Sequence, residues 1–195
     1  MAETVDKRRR TDLDLFILAL IDAGLSTLYD FQRQAGLSQG ATVPALQRLL
    51  QARFVLQGKP GARGRTGYRV SAAGKKALGT GWRTLIAEGP TGNFDADLRV
   101  ALLVVFGSGD RKLAAEFLHR SAADKMKVIA DAEHDESRKD WPSLARWYTD
   151  LRLARATTLA AAESQALLTL ADSLPLGVPG QPTHNPRRSR TKGSL

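Results

Sequence analysis

No cysteine occurs in this chain of 195 residues. Disulfides and cysteine-ligated zinc are therefore excluded, and no zinc finger can account for the chain's basic character. Long apolar runs are missing as well. Val100 to Phe106 is far too short to cross a bilayer. The run from Leu13 to Ile21 follows the basic Lys7-Arg8-Arg9-Arg10, yet it carries Asp14 and ends at Asp22, unlike the apolar core of a secretory signal. A cytoplasmic protein with no membrane association is expected. The most telling absence is of one charge sign. Between Asp30 and Glu88 there is no Asp or Glu, while Arg33, Arg48, Arg53, Lys59, Arg63, Arg65, Arg69, Lys75, Lys76 and Arg83 all lie in that stretch. The whole chain has a net charge of +9, so this stretch alone exceeds it and the remainder nearly balances. Concentrated positive charge attracts a polyanion, because each Lys or Arg placed on a phosphate releases a condensed counterion.

Chemistry-bearing sets are also scarce. No Ser-His-Asp or Cys-His arrangement and no phosphate-cradling loop is present; Gly107-Ser108-Gly109 reads as a helix start. Glu116 and His119 stand three apart, with Glu133 and His134 further along. A two-metal bundle needs such a pair on two helices plus two more carboxylates. Only one copy exists, so an ordinary helical surface is the better account. No enzymatic activity, metal or cofactor is expected.

An apolar fraction of 43% at this length supports one large or two small domains. Residues 1–10 are polar and charged and read as a disordered basic arm. Thr11 with Asp14 resembles a capping box, and Leu13, Phe16, Ile17, Leu20 and Ile21 follow at helical spacing up to a stop at Gly24. Ser26 is the expected cap of a second helix with Leu28 and Phe31 inward, ended by Gly36. Ser38 caps a third, whose buried stripe is expected to be Val43, Leu46, Leu49 and Leu50. Only Gly36, Leu37 and Ser38 separate the second and third helices, the tight turn of a helix-turn-helix. Pro44 falls in the second turn of helix 3, where a missing N–H costs less than in mid-helix. Phe54-Val55-Leu56 and Tyr68-Arg69-Val70 flank a Gly-rich, purely cationic loop and read as a hairpin. Ser71 caps a fourth helix through Leu78, Trp82 and Leu85, and Gly89-Pro90-Thr91-Gly92-Asn93 marks a boundary.

Beyond that boundary the pattern is purely helical. An apolar helix spans Asp95 to Phe106. Another opens at Ser108-Gly109-Asp110 with Leu113, Phe117, Leu118, Met126, Val128 and Ile129 inward. After a polar loop from His134 to Asp140, Ser143 to Leu174 runs without Pro or Gly. A helix of that length reaches roughly 48 Å, more than one small domain covers. Its apolar and Ala positions recur every three to five residues, which suits a dimer interface. The tail from Pro175 is rich in Pro, Gly and Arg and reads as disordered.

The segment Leu37-Ser38-Gln39-Gly40-Ala41-Thr42-Val43-Pro44-Ala45-Leu46-Gln47-Arg48-Leu49-Leu50 resembles the PadR family of bacterial transcriptional regulators. Ser38, Gly40, Pro44, Leu46, Arg48 and Leu49 match that family's recognition helix. Tyr68, Arg69 and Ser71-Ala72-Ala73-Gly74 match its return strand and following cap. Val43 stands where the family carries a Tyr, and the second helix lacks its His-Gly-Tyr-Glu pattern. The likeness is good over residues 13–85 and looser over 95–174. It implies a mainly α fold with a small β-hairpin wing. A winged helix-turn-helix at 11–88 would bind DNA, a helical dimerisation region would occupy 94–174, and 175–195 would be a basic tail. The implied function is a sequence-specific regulator, a repressor, that binds a pseudo-palindromic operator in double-stranded DNA as a homodimer.

The expected DNA-binding residues are Ser38, Gln39, Thr42, Gln47 and Arg48 on helix 3, with Lys59, Arg63, Arg65 and Arg69 on the hairpin. Gln can pair with adenine, Thr can touch a thymine methyl, and Arg can grip guanine or phosphate. The hairpin cations are assigned mainly to phosphates, which set position and not sequence. Aromatic side chains take planar effectors in PadR-like proteins, so Trp82, Trp141, Trp147 and Tyr148 are candidates for a small aromatic effector; large core and interface pieces are the preferred account of them. Two alternatives stand beside a regulator: a non-specific architectural DNA-binding protein, and a winged-helix module that binds another protein.

Overall fold

A computed structural model describes residues 11–60, 66–133 and 142–175. The basic arm, the hairpin tip with Arg63 and Arg65, Trp141 and the tail beyond residue 175 lie outside the described residues. The chain is mainly helical. Its order is α1 (Asp12–Asp22), α2 (Leu28–Ala35), α3 (Gln39–Gln51), β1 (Val55–Pro60), β2 (Thr66–Val70), α4 (Ala72–Glu88), α5 (Phe94–Ser108), α6 (Arg111–Glu133) and α7 (Ser143–Ser173). The two strands pair antiparallel, with Val55 opposite Val70 and Gln57 opposite Tyr68, and a bulge follows Gln57.

Side chains that satisfy free amides set most helix starts. Thr11 and Asp14 form the expected reciprocal box at α1. At α2 the cap is Thr27, not Ser26. Thr27 and Asp30 bond each other's backbone amides, a closed pair that Ser26 could not make. The Ser26 carbonyl is occupied elsewhere, accepting from the Tyr68 N–H at 2.7 Å, which lays the α1–α2 connection along the outer edge of β2. Ser38 and Ser71 cap α3 and α4 as expected. Gly109 closes α5 in the left-handed conformation (φ 73°) and does not open α6. The start of α6 is held instead by Asp110, whose Oδ1 accepts from the Leu113 N–H at 2.9 Å.

The helical phase of α3 also differs from expectation. Thr42, Ala45, Leu46 and Leu49 are buried, at spacings of three and four, whereas Val43 is exposed. Thr42 tolerates burial because its hydroxyl donates to the Ser38 carbonyl at 2.7 Å. Met126 and Val128 on α6 are likewise exposed, while Phe117, Leu118 and Ile129 are buried.

One continuous apolar core joins both halves of the chain. It runs from Leu18 and Phe31 through Trp82 and Val104 to Phe117 and Leu167. The break at residues 89–93 falls between α4 and α5, yet α5 packs against α1 and α4 on one side and α6 on the other. A buried polar clamp ties the break down. Asp97 is fully buried and accepts from the Thr91 N–H (2.8 Å), the Thr91 hydroxyl (2.9 Å) and the Ser121 hydroxyl (2.5 Å). Lys125 donates to the Gly92 carbonyl at 2.8 Å and to Glu163 of α7 at 2.6 Å. These partners compensate the burial of both charges.

Contacts along α6 show how the three long helices overlap. Ser121 meets Asp97 near the start of α5, and Lys125 meets Glu163. Beyond the Lys125–Glu163 pair α7 runs on to residue 143, roughly 30 Å, while α6 ends at Glu133, roughly 12 Å past Lys125, so the N-terminal part of α7 reaches past the described end of α6 as an arm. Leu144, Trp147, Tyr148, Leu151 and Leu159 on this arm are all more than half exposed. Ser164, Leu167 and Ala171, beyond the arm, are buried.

Glycine positions in α4 separate packing from propensity. A Cβ at Gly74 would lie 2.2 Å from the Phe54 carbonyl oxygen, whereas one at Gly79 would meet nothing within 4 Å. Gly74→Ala is expected to lower stability by about 1–3 kcal/mol. Gly79→Ala is expected to raise it by up to about 1 kcal/mol. Urea unfolding of the two variants checks the opposite signs.

Candidate nucleic-acid interface

The outward ridge of α3 consists of Gly40, Pro44, Gln47 and Gln51, opposite the buried Thr42–Ala45–Leu46–Leu49 stripe. Gln39 and Val43 flank it and are also exposed. Pro44 removes the backbone donor that would reach the Gly40 carbonyl, and it does so on the exposed side, where water can replace it. Amide side chains on such a ridge can donate to and accept from base edges, and Val43 offers a methyl surface.

Each helix-3 residue expected to bind DNA has a definite place. Ser38 and Gln39 are exposed at the start of α3, and Gln47 is exposed on the ridge. The Ser38 Oγ is engaged in capping, accepting from the Ala41 N–H at 3.3 Å. Thr42 is 1% exposed and its hydroxyl is used internally, so it cannot meet a base; the residue presenting methyl groups is Val43. Gln51 was not anticipated. The signal for it existed in the helical period and was hidden by an error of one position in the assumed phase.

Arg48 is anchored. Its Nε donates to one Asp14 oxygen at 3.2 Å and its Nη2 to the other at 2.6 Å, a two-point pair across α1 and α3. Hydrogen bonding to Asp14 raises the Arg48 pKa, against an opposing effect of burial. The Arg48 side chain remains 40% exposed, with its Nη1 side not engaged by Asp14. A guanidinium held along one edge can still present its other edge to a phosphate or guanine.

Electrostatics around the ridge follow from the α1 carboxylates. Asp12 pairs with Arg99 (2.6 Å), Asp14 with Arg48 (2.6 Å) and Asp22 with Lys75 (3.5 Å). Each acid of the first helix thus has a cationic partner, and the acid-free stretch that follows is left with exposed Arg33, Arg53, Arg69 and Lys76. Lys59 belongs to β1 by its backbone, and Arg69 lies opposite Leu56 on the paired strand. Arg83 stacks over Trp82, 4.9 Å from the ring centre.

Among the described residues, the aromatics suggested for an effector do not meet. Trp82 is 7% exposed and wedged between α4 and α5, where a Cβ at Gly107 would come within 2.6 Å of its ring. Trp147 and Tyr148 lie on the exposed arm. With Lys125 paired to Glu163, Trp147 lies roughly 45 Å from the Gly107 end of α5, about 21 Å of it along α6 and about 24 Å along α7. Trp82 is a core residue, and the reason is its packing against a glycine that no residue count reveals. No protein-family model matches this chain, and no curated protein matches it either.

Asp14→Ala and Arg48→Ala are each expected to lower stability by about 1–2 kcal/mol, the former by more because it also opens the α1 capping box. In the double variant the losses should fall short of additivity by about 0.5–1 kcal/mol, measured by urea unfolding as a double-mutant cycle.

Proposed function

We propose that this protein is a winged-helix transcriptional regulator of PadR-like type, a repressor that binds duplex DNA as a homodimer. The observation that carries the proposal is the coincidence of two independent features. The acid-free, ten-cation stretch of the sequence holds a helix whose outward ridge carries no charge and presents the exposed amides of Gln47 and Gln51. In this reading α2 and α3 are the helix-turn-helix, the β1–β2 hairpin is the wing, and α3 enters the major groove. Gln39, Gln47 and Gln51 read base edges, Val43 meets thymine methyls, and Arg48, Lys59, Arg63, Arg65 and Arg69 hold phosphates.

The dimer rests on the arm. Five large apolar side chains more than half exposed on one helix are an uncovered surface in a single copy. Full burial of each such side chain stabilises an assembly by about 1.5–3 kcal/mol. Pairing of two arms would set the heads on half-sites one helical turn apart, or a multiple of it, on a pseudo-palindromic operator. In this reading a small aromatic effector engages Trp147 and Tyr148, the described aromatics of the arm.

Selection of binding sites from random duplexes should yield a palindromic motif, and Gln47→Ala should change the bases preferred without abolishing binding. Recovery of unselected DNA points to an architectural protein, and recovery of none to a protein-interaction module. With the five assigned phosphate contacts per head, about ten in the dimer, the slope of log K against log salt should be about −9. A flat salt response overturns the phosphate assignment. Leu151→Asp is expected to give a monomer in sedimentation equilibrium with much weakened operator binding; a wild-type monomer at micromolar concentration overturns the dimer.

A further inference from the structure

Arg53 is the one non-glycine residue with positive φ among the described residues, at 57°. Its backbone is held there from several sides. The Arg53 N–H donates to the Leu50 carbonyl at 3.0 Å, and its own carbonyl accepts from the Ser71 hydroxyl at 2.7 Å. The next residue is pinned too: the Phe54 N–H reaches the Leu49 carbonyl, and its carbonyl accepts from the Ser71 N–H, both at 2.9 Å. The Phe54 carbonyl also presses on Gly74, where no Cβ fits. Any residue at position 53 must therefore accept the left-handed conformation, which glycine adopts freely and a long side chain does not.

The side chain that tolerates this strain is a cation. It is exposed and has no ion pair or hydrogen bond among the described residues. It lies two residues beyond Gln51, where the α3 ridge ends, and no acid occurs within 20 residues on either side. Packing does not explain an arginine here, since the side chain is exposed and lies outside the apolar core. Attraction to an external anion does explain it, because strain at a pinned position persists where the side chain serves a contact outside the fold.

We propose that Arg53 is a DNA backbone-phosphate contact, gripping the strand at the edge of the groove that the α3 ridge faces. The inference rests on the reading of α3 as a recognition helix. It adds a residue to the interface and fixes its role as position, not sequence.

The test compares Arg53→Gly, Arg53→Gln and Arg53→Lys in the full chain with Arg120→Gln, a control that removes one exposed charge from α6. Thermal unfolding and binding to a selected or random duplex are measured at several salt concentrations. Arg53→Gly relieves the backbone, so its Tm should be unchanged or higher by up to about 4 °C, while its DNA affinity falls. One phosphate contact fewer per head means a loss of roughly eightfold per head at 0.1 M salt, and a slope shallower by about two units for a dimer. Arg53→Gln should keep the wild-type Tm and lose the same affinity; Arg53→Lys should keep most of the affinity. Sequence preference should not change in any of them. A merely structural role would move Tm and affinity in the same direction. Wild-type affinity and slope in Arg53→Gly, or losses no larger than those of Arg120→Gln, overturn the proposal while leaving the regulator reading intact. A wild-type chain that ignores duplex DNA even at low salt removes both.

Discussion

A helix whose apolar residues point to every side has to be covered on nearly every side, and α5 is that helix here. Only Asp95, Gly107 and Ser108 of its residues are exposed. Such a segment cannot lie on the rim of a domain. It draws α1 and α4 to one flank and α6 to the other, with α7 closing over α6, so the two halves of the chain share one core. Its one buried charge, Asp97, is tolerated because three donors surround it. Two of those donors belong to Thr91 in the connection before α5, so the same bonds that permit the burial also fix how the chain enters the helix. Lys125 and Glu163 extend the clamp to α7.

The cationic face follows from a division of labour between the first helix and what comes after it. Asp12, Asp14 and Asp22 each meet a cation, and two of those cations, Arg48 and Lys75, come from the acid-free stretch. Arg48 is thereby made a fixed group. A free arginine must lose several rotamers to grip a ligand; one already held by Asp14 has lost them on folding. Arg53 represents the other way of fixing a cation, through its main chain. Both lie along α3 or at its end, where the outward residues are glutamine, glycine, proline and valine and carry no charge of their own.

The long helix has two halves with different surroundings. Toward its C-terminus Leu167 and Ala171 are part of the core. Toward its N-terminus α7 reaches past the described end of α6, and its large apolar residues remain in contact with water. The uniform apolar periodicity of α7 therefore has two outcomes, a C-terminal half built into the core and an N-terminal half left exposed. The aromatic residues divide along the same line, Trp82 in the core and Trp147 with Tyr148 on the arm.

Local chemistry was legible in the sequence wherever neighbours a few residues apart decide the outcome. The Thr11–Asp14 box, the Ser38 and Ser71 caps, the hairpin and the extent of α7 needed only near partners, and the charge segregation is composition alone. Three things required tertiary structure. The phase of α3 turned on Thr42, which a local hydroxyl bond allows to be buried in the interior. The Arg48–Asp14 pair and the Asp97 and Lys125 clamps join residues 24 to 38 positions apart, a distance over which spacing carries no signal. Arg53 reads as one more surface cation in the sequence. Only the fold, by bonding its main chain to Ser71 and seating Phe54 on Gly74, imposes a backbone that most side chains avoid, because long-range contacts and not local preference hold that turn in place.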